Sequence, residues 1–313
     1  MGQENPHHGL SPPGAWRHSF AGMDDRTAIP FTLGSAPPRL AVPPGAVDCH
    51  HHVYDAAAPV APGGRAHATA ALADHARLLA RLGVGRQVLV QPSTYGFDNS
   101  LQLAALRAAG PARARMVAVV RPDAPLAELR ALGGQGVVGA RANLVQGIPL
   151  TPADVAPLAR RLAAVGWHLQ VFADAAAIAA LGPVLRAAPC PVVFDHFGQL
   201  PLAGWAAHPA WGVVMDLLQE GRGWVKLSSP YSLDQADPAA VGDLARALVA
   251  AAPERLVWGT NWPHPNATTP PDDAALLDLL ADWAPEPATR QRILVENPAV
   301  LSAGLPYTLP AHT

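Results

Sequence analysis

Three imidazoles stand in a row in Asp48-Cys49-His50-His51-His52-Val53. The run is otherwise largely apolar and reads as a β-strand, in which successive side chains face opposite ways. His50 and His52 therefore share one face and His51 takes the other. Two imidazoles on one face of a buried strand are costly unless they are paired or put to use. The imidazole is also the side chain suited to moving a proton near neutral pH and to binding metal through a bare nitrogen. Proton transfer or metal binding is the chemistry that this spacing announces, and the other polar residues matter according to whether they converge on it.

The elements that would bring them together repeat one rhythm from Ala46 onward. The strand candidates are Ala46–Val53, Gln87–Pro92, Ala114–Arg121, Val137–Leu144, His168–Asp174, Pro191–Gly198, Trp224–Ser229 and Leu256–Pro263. Ala/Leu/Arg segments of helical period lie between them. The clearest spans Thr151 to Gly166, with Thr151 as N-cap, Pro152 at the first helical position and Asp154 in the first turn. Its apolar stripe is Val155, Leu158, Ala159, Leu162 and Val165. Asp237-Pro238 and Pro271-Asp272-Asp273 are similar start signals. Eight alternating strand–helix units predict an α/β fold, a single-domain (β/α)8 TIM barrel. A doubly wound open sheet is the rival, but the residues after the first strand, Tyr54-Asp55-Ala56-Ala57-Ala58, form no glycine-rich phosphate turn.

In such a barrel the active site lies at the C-terminal strand ends. The polar residues gather there, whereas the strand starts are apolar. In chain order the candidates are His50 and His52, Ser93 and Tyr95, Arg141 and Asn143, Gln170, His196, Tyr231, then Asn261 and His264. Each alone has a structural explanation, such as a hydrogen-bonded core histidine or a buried ion pair for Arg141. Joint placement at one mouth favours function.

Composition narrows the partners. Of 313 residues, 50% are hydrophobic and 15% charged, enough for a large core, and the formal net charge of -2 with no basic stripe argues against nucleic acid. Cys49 and Cys190 are expected to be buried free thiols in a reducing compartment. No apolar run suggests a signal peptide or membrane span, so a cytoplasmic protein with no membrane partner is expected. Residues 1–44, rich in Pro and Gly, read as a flexible N-terminal tail, 45–303 as the barrel and 304–313 as a C-terminal tail. The oligomeric state is not legible.

At its strand ends the chain resembles the amidohydrolase superfamily, and within it the amidohydrolase-related group that contains 2-pyrone-4,6-dicarboxylate lactonase and D-galactarolactone isomerase. The resemblance covers about Ala46 to Leu301. It rests on Asp48-Cys49-His50-His51-His52-Val53, Gly139-Ala140-Arg141-Ala142-Asn143, Phe194-Asp195-His196-Phe197-Gly198, Lys226-Leu227-Ser228-Ser229-Pro230-Tyr231 and Trp258-Gly259-Thr260-Asn261-Trp262-Pro263-His264. One departure stands out. The superfamily has Asp at the strand-eight position and this chain has Asn261, similar to the isomerase version. An amide cannot take a proton from water, so a hydrolase of this sequence must give that task to a histidine, His196 or His52.

The resemblance implies an enzyme acting on a small carboxylate-bearing lactone, a sugar-acid or dicarboxylate lactone, by hydrolysis or by intramolecular isomerisation. Asn261 favours isomerisation. His50, His52, His196 and Asn261 would be catalytic. Arg141 would clamp a carboxylate, with Asn143, Ser93, Tyr95, Gln170, Tyr231 and His264 also binding substrate. No cofactor and no metal are expected, since Asn261 is a weak ligand and Asp195, next to His196, is expected to face away from the mouth. The alternative is a zinc-dependent hydrolase or decarboxylase of a small organic acid, with one zinc on His50, His52 and His196. A third reading is a barrel that binds a small acid without turning it over. The loop between His52 and Leu72, with Gly63-Gly64-Arg65 and His67, is expected to close over the mouth.

Overall fold

The computed structural model describes residues 28–145, 149–233 and 237–302. The strands are β1 (Val47–His51), β2 (Arg86–Val90), β3 (Ala114–Ala118), β4 (Val137–Asn143), β5 (His168–Phe172), β6 (Val192–Phe194), β7 (Gly223–Ser228) and β8 (Leu256–Gly259). They pair in parallel in chain order from β1 to β8. The helices between them are α1 (Leu72–Leu82), α2 (Ser100–Ala109), α3 (Leu126–Gly133), α4 (Val155–Ala163), α5 (Ala175–Ala180), α6 (Gly182–Arg186), α7 (Pro209–Gln219) and α8 (Pro238–Ala251). After β8 come α9 (Asp273–Trp283), α10 (Pro287–Gln291) and α11 (Asn297–Leu301). This is the expected (β/α)8 barrel.

The start signals act as read. Thr151 and Asp154 form a reciprocal capping box, one tight turn covers Pro152–Asp154, and α4 follows with Val155, Leu158, Ala159 and Leu162 buried. Asp237 and Asp272 each accept the backbone N–H two residues on.

Alternation along the strands builds two cores. Outward residues such as Leu89, Met116, Leu169, Phe194, Val225 and Trp258 pack under the helices. Val47, Cys49, Val88, Val90, Val117, Val193, Trp224 and Val257 form a separate cluster, the apolar floor of the barrel, against which Leu301 packs. Cys49 and Cys190 are free and buried.

The seam between β8 and β1 is closed by a side chain. The Asp48 carboxylate accepts the N–H groups of His50 and Thr260 (3.0 and 2.9 Å) and the Thr260 hydroxyl (2.7 Å). On its outer side it meets His75 Nε2 of α1 at 2.9 Å, and His51 stacks on His75 with centroids 3.6 Å apart. One residue further up, Asn261 N–H donates to His50 C=O at 2.7 Å. Asp48 thus faces outward although it is two residues from inward-facing His50. The register shift of β1 between Asp48 and His51 absorbs the break in alternation.

Part of the expected N-terminal tail is built into the fold. Trp262 Nε1 donates to Pro30 C=O at 2.9 Å, Leu33 N–H donates to Pro271 C=O, and Arg39 pairs with Asp278 of α9 at 2.9 Å. Residues 28–44 are therefore a strap across α1 and α9 rather than a flexible tail, because Thr32 and Leu40 bury against the barrel wall. Residues 1–27 and the C-terminal segment from 303 lie outside the described residues. Among the described residues no helix is long and apolar enough to cross a membrane.

Candidate active site

Above the apolar floor the barrel interior turns polar in two tiers. The lower tier is ionic. Asp195 Oδ2 accepts Arg141 Nε at 2.9 Å and Gln170 Nε2 at 3.0 Å. Its Oδ1 lies 3.3 Å from His50 Nδ1 and 3.5 Å from Lys226 Nζ. Lys226 donates to Gln170 Oε1 at 2.7 Å and to Cys49 C=O at 3.0 Å. Burial works against the Asp195 charge, but the Lys226 ammonium and the Arg141 guanidinium outweigh it and hold the carboxyl well below the usual range.

Two sequence expectations change here. Asp195 was expected to face away from the mouth because its neighbour His196 faces in. His196 instead has φ of +50°. That left-handed residue interrupts the alternation, so Asp195 follows Val193 inward and His196 turns inward as well. Lys226 was not singled out as a site residue. The signal was available, since it lies between inward-facing Trp224 and Ser228 at strand spacing.

The upper tier lines the pocket: His52, Ser93, Arg141, Asn143, Phe172, His196 and Asn261, with Tyr54, Arg65 and His67 from the loop above. Among the described residues no Asp or Glu lines it. The cavity encloses about 40 Å³. Its roof is the expected loop. Thr94 Oγ1 donates to Arg65 C=O at 2.9 Å, Ala61 N–H donates to Thr94 C=O, and His67 stacks on Tyr54 at 4.1 Å. Gly64 is needed there, as a Cβ would sit 2.6 Å from Thr94 C=O.

Hydrogen-bond logic settles the proton positions. His52 Nδ1 is 2.7 Å from Val90 C=O, which only accepts, so Nδ1 carries the proton. His52 Nε2 is then an acceptor, and His50 Nε2 at 3.3 Å donates to it. His50 Nδ1 is left bare and accepts from Lys226 at 3.3 Å. Both nitrogens of each ring are thereby engaged. His196 differs: its Nδ1 is held by Ser228 Oγ at 2.8 Å, and its ring borders the pocket. Burial, with Arg141 and Lys226 adding and Asp195 opposing, pulls His196 down to about 3. Burial and Arg141 do the same to His52, also to about 3, against the Val90 bond. Both are neutral near pH 7.

A second chain runs on the opposite wall. His264 Nε2 lies 3.1 Å from the Asp273 carboxylate, so it donates and His264 Nδ1 accepts. The Tyr231 hydroxyl donates to that Nδ1 at 2.7 Å and accepts from Asn261 Nδ2 at 3.0 Å, while Asn261 Nδ2 also reaches Ser229 Oγ at 3.2 Å. The amide nitrogen of Asn261 is thus turned into the wall, and its carbonyl oxygen points the other way. Asn261, His264 and Ser229 all have positive φ.

The structure brings His52, His196, Asn261, Arg141, Asn143 and Ser93 together around one cavity, with Asn143 Nδ2 bonded to Ser93 Oγ at 3.0 Å. The other candidates sit outside it. His50 and Gln170 lie in the tier beneath, Tyr231 and His264 stand behind Asn261, and the Tyr95 hydroxyl bonds the Asp55 backbone N–H at 2.9 Å. Among the described residues the group able to hold a metal is His50, Asp195 and His196, with ligand atoms within 4.8 Å of one another. This is not the expected trio of His50, His52 and His196. The His50–His52 contact uses the nitrogens that zinc would need, and Lys226 stands against His50 Nδ1 and Asp195.

The amidohydrolase family model matches residues 47–301. The chain is 34% identical over 280 residues to 2-pyrone-4,6-dicarboxylate hydrolase of Comamonas testosteroni, covering 83% of this chain and 91% of that one. It is 33% identical to D-galactarolactone isomerase of Agrobacterium fabrum (86% and 94%) and 31% identical to 4-sulfomuconolactone hydrolase of Rhizobium radiobacter (88% and 97%). An Agrobacterium tumefaciens protein solved without ligand superposes with a TM-score of 0.78 at 31% identity, over 87% of this chain and 97% of that one. The chain belongs to the amidohydrolase family.

Proposed function

We propose that this member of the amidohydrolase family acts on a small lactone bearing a carboxylate, transferring its acyl group without a metal, and that the acceptor is a hydroxyl of the same substrate. The observation that carries the reading is the charge of the pocket. Arg65 and Arg141 line it and, among the described residues, no carboxylate does. Beneath, one carboxylate, Asp195, stands against Arg141 and Lys226, which leaves one positive charge in excess. An anionic substrate fits such a wall. Arg141 spends Nε on Asp195 and keeps its terminal nitrogens for a ligand carboxylate. The named relatives act on a pyrone dicarboxylate, a galactarolactone and a sulfomuconolactone, all acidic lactones.

His196 carries the proton. Its Nε2 takes the proton of the attacking hydroxyl as oxygen bonds to the lactone carbonyl carbon. It returns that proton to the ring oxygen as the old C–O bond breaks. If the attacking hydroxyl belongs to the substrate, the product is a second lactone. If it belongs to water, the product is the open hydroxy acid. Asn261 favours the first course. Its carbonyl oxygen can accept from a substrate hydroxyl and orient it, but it cannot draw a proton from water as a carboxylate can.

Proton NMR of the protein with a panel of acidic lactones, aldarolactones first, tests this. A second lactone that precedes any open acid is the expected result. Direct formation of the diacid makes the enzyme a lactonase, and no turnover of any acidic lactone overturns the proposal. Asn261→Asp is expected to raise the share of ring-opened acid, and an unchanged share removes the argument from Asn261.

A further inference from the structure

The Lys226 ammonium takes no part in the proton transfers above, yet its surroundings are those of a bound cation. Nζ lies 2.7 Å from Gln170 Oε1, 3.0 Å from Cys49 C=O, 3.3 Å from His50 Nδ1 and 3.5 Å from Asp195 Oδ1. The side chain is 2% exposed. A lysine has donors and no acceptor, so each of these contacts uses a lone pair of the neighbour. Two of those lone pairs belong to His50 and Asp195, members of the group able to hold a metal. His50 Nδ1 and Asp195 Oδ1 are 3.3 Å apart, a separation that two ligands of one small divalent ion would show when each bond is about 2.0–2.2 Å.

We infer that Lys226 is the built-in cation of the histidine centre: its Nζ takes the place between His50 Nδ1 and Asp195 Oδ1 that a divalent metal would fill. Two consequences follow from that one position. A metal cannot enter without displacing a buried ammonium from its carboxylate. The His50–His52 pair is held in one direction, because Val90 C=O sets the His52 proton at one end and Lys226 occupies the bare His50 nitrogen at the other. None of the four groups that Lys226 meets lines the pocket, so Lys226 is a positioning residue. The inference rests on the metal-free reading of the site, but its test needs no substrate.

Nitrogen-15 NMR of histidine-labelled wild-type protein reads the proton positions directly. His50 is expected bare at Nδ1 and protonated at Nε2, and His52 the reverse. Titration with zinc chloride, and with cobalt chloride for its visible absorption, then compares the wild type with Lys226→Met and Lys226→Gln. The variants are expected to bind about one equivalent on the order of 10–100-fold more tightly than the wild type, the scale of changes beside a metal ligand. A wild-type His50 protonated at Nδ1, or wild-type zinc affinity equal to that of a folded variant, overturns the inference. If neither variant folds, the wild-type proton positions decide alone. Failure of the lactone panel leaves these readouts unaffected.

Discussion

The two walls of the pocket use the same device and end it differently. On the β1 side, Val90, His52, His50 and Lys226 form a chain in which every ring nitrogen is taken, closed underneath by Asp195. On the β8 side, Asp273, His264, Tyr231 and Asn261 form a chain that ends in an amide whose oxygen is turned from the wall. Each chain is anchored on a group that only accepts, and that anchor sets the direction of every proton after it. The first wall is locked by buried charge. The second delivers a neutral acceptor. His196 stands between them, with Nδ1 held by Ser228. Three histidines at one mouth are therefore not three equivalent acid–base groups.

The sharpest way to break this comparison is His196→Ala. Turnover is expected to fall by roughly 10²–10⁴-fold, the usual worth of a positioned general base, with the circular dichroism spectrum unchanged. A rate within a few-fold of wild type would move the proton transfer to His52. Next comes Asp195→Asn, which leaves Lys226 and Arg141 buried without their anion. A loss of about 3–5 kcal/mol in denaturant unfolding is expected, and a loss below about 1 kcal/mol would mean that the first wall is not held by charge. Tyr231→Phe cuts the second chain in its middle and frees the Asn261 amide to turn. A loss of about tenfold in kcat/KM, near 1.4 kcal/mol, is the expected cost of one hydrogen bond, with no matching loss of stability.

The smallest effect is on the pH–rate profile. Because His196 is pulled down to about 3 from 6.5, it is already the free base at neutral pH. The rate is expected to stay flat across roughly pH 5 to 8. An acid limb centred near 6.5 would mean an ordinary, solvated histidine. Stability follows the same shifts. His52, His168 and His196 each sit at about 3 when folded and at 6.5 when free. As pH falls, the unfolded chain takes up protons that the folded chain refuses. The contribution is therefore complete above 6.5 and is lost between there and about 3. Thermal melts across that window check the sign.

Much of this was legible in the sequence. The period-two pattern put His50 and His52 on one face and His51 on the other, and the alternation of strands and helices led to the barrel and its polar mouth. The same reading set Arg141, Asn143, Ser93, His196 and Asn261 at that mouth, where they line the cavity. The β6 strand was read too long, Pro191–Gly198 against an observed Val192–Phe194, because left-handed His196, Phe197 and Gly198 turn the chain just where function begins. Such residues leave no periodic trace.

What the sequence determined by itself is therefore direction wherever alternation is unbroken: which side chains face the barrel axis, and at which end. What only the tertiary structure decided is depth and partnership. His50 and Gln170 lie beneath the pocket, not in it. Asp195 turns inward because His196 adopts φ of +50°. Lys226 meets His50 across 176 positions of chain, and Asp48 meets Thr260 across 212. Alternation is a local property of a strand, whereas the height of a side chain in a barrel depends on the stagger between strands. The partner of each hydrogen bond is chosen only when distant strands close the ring.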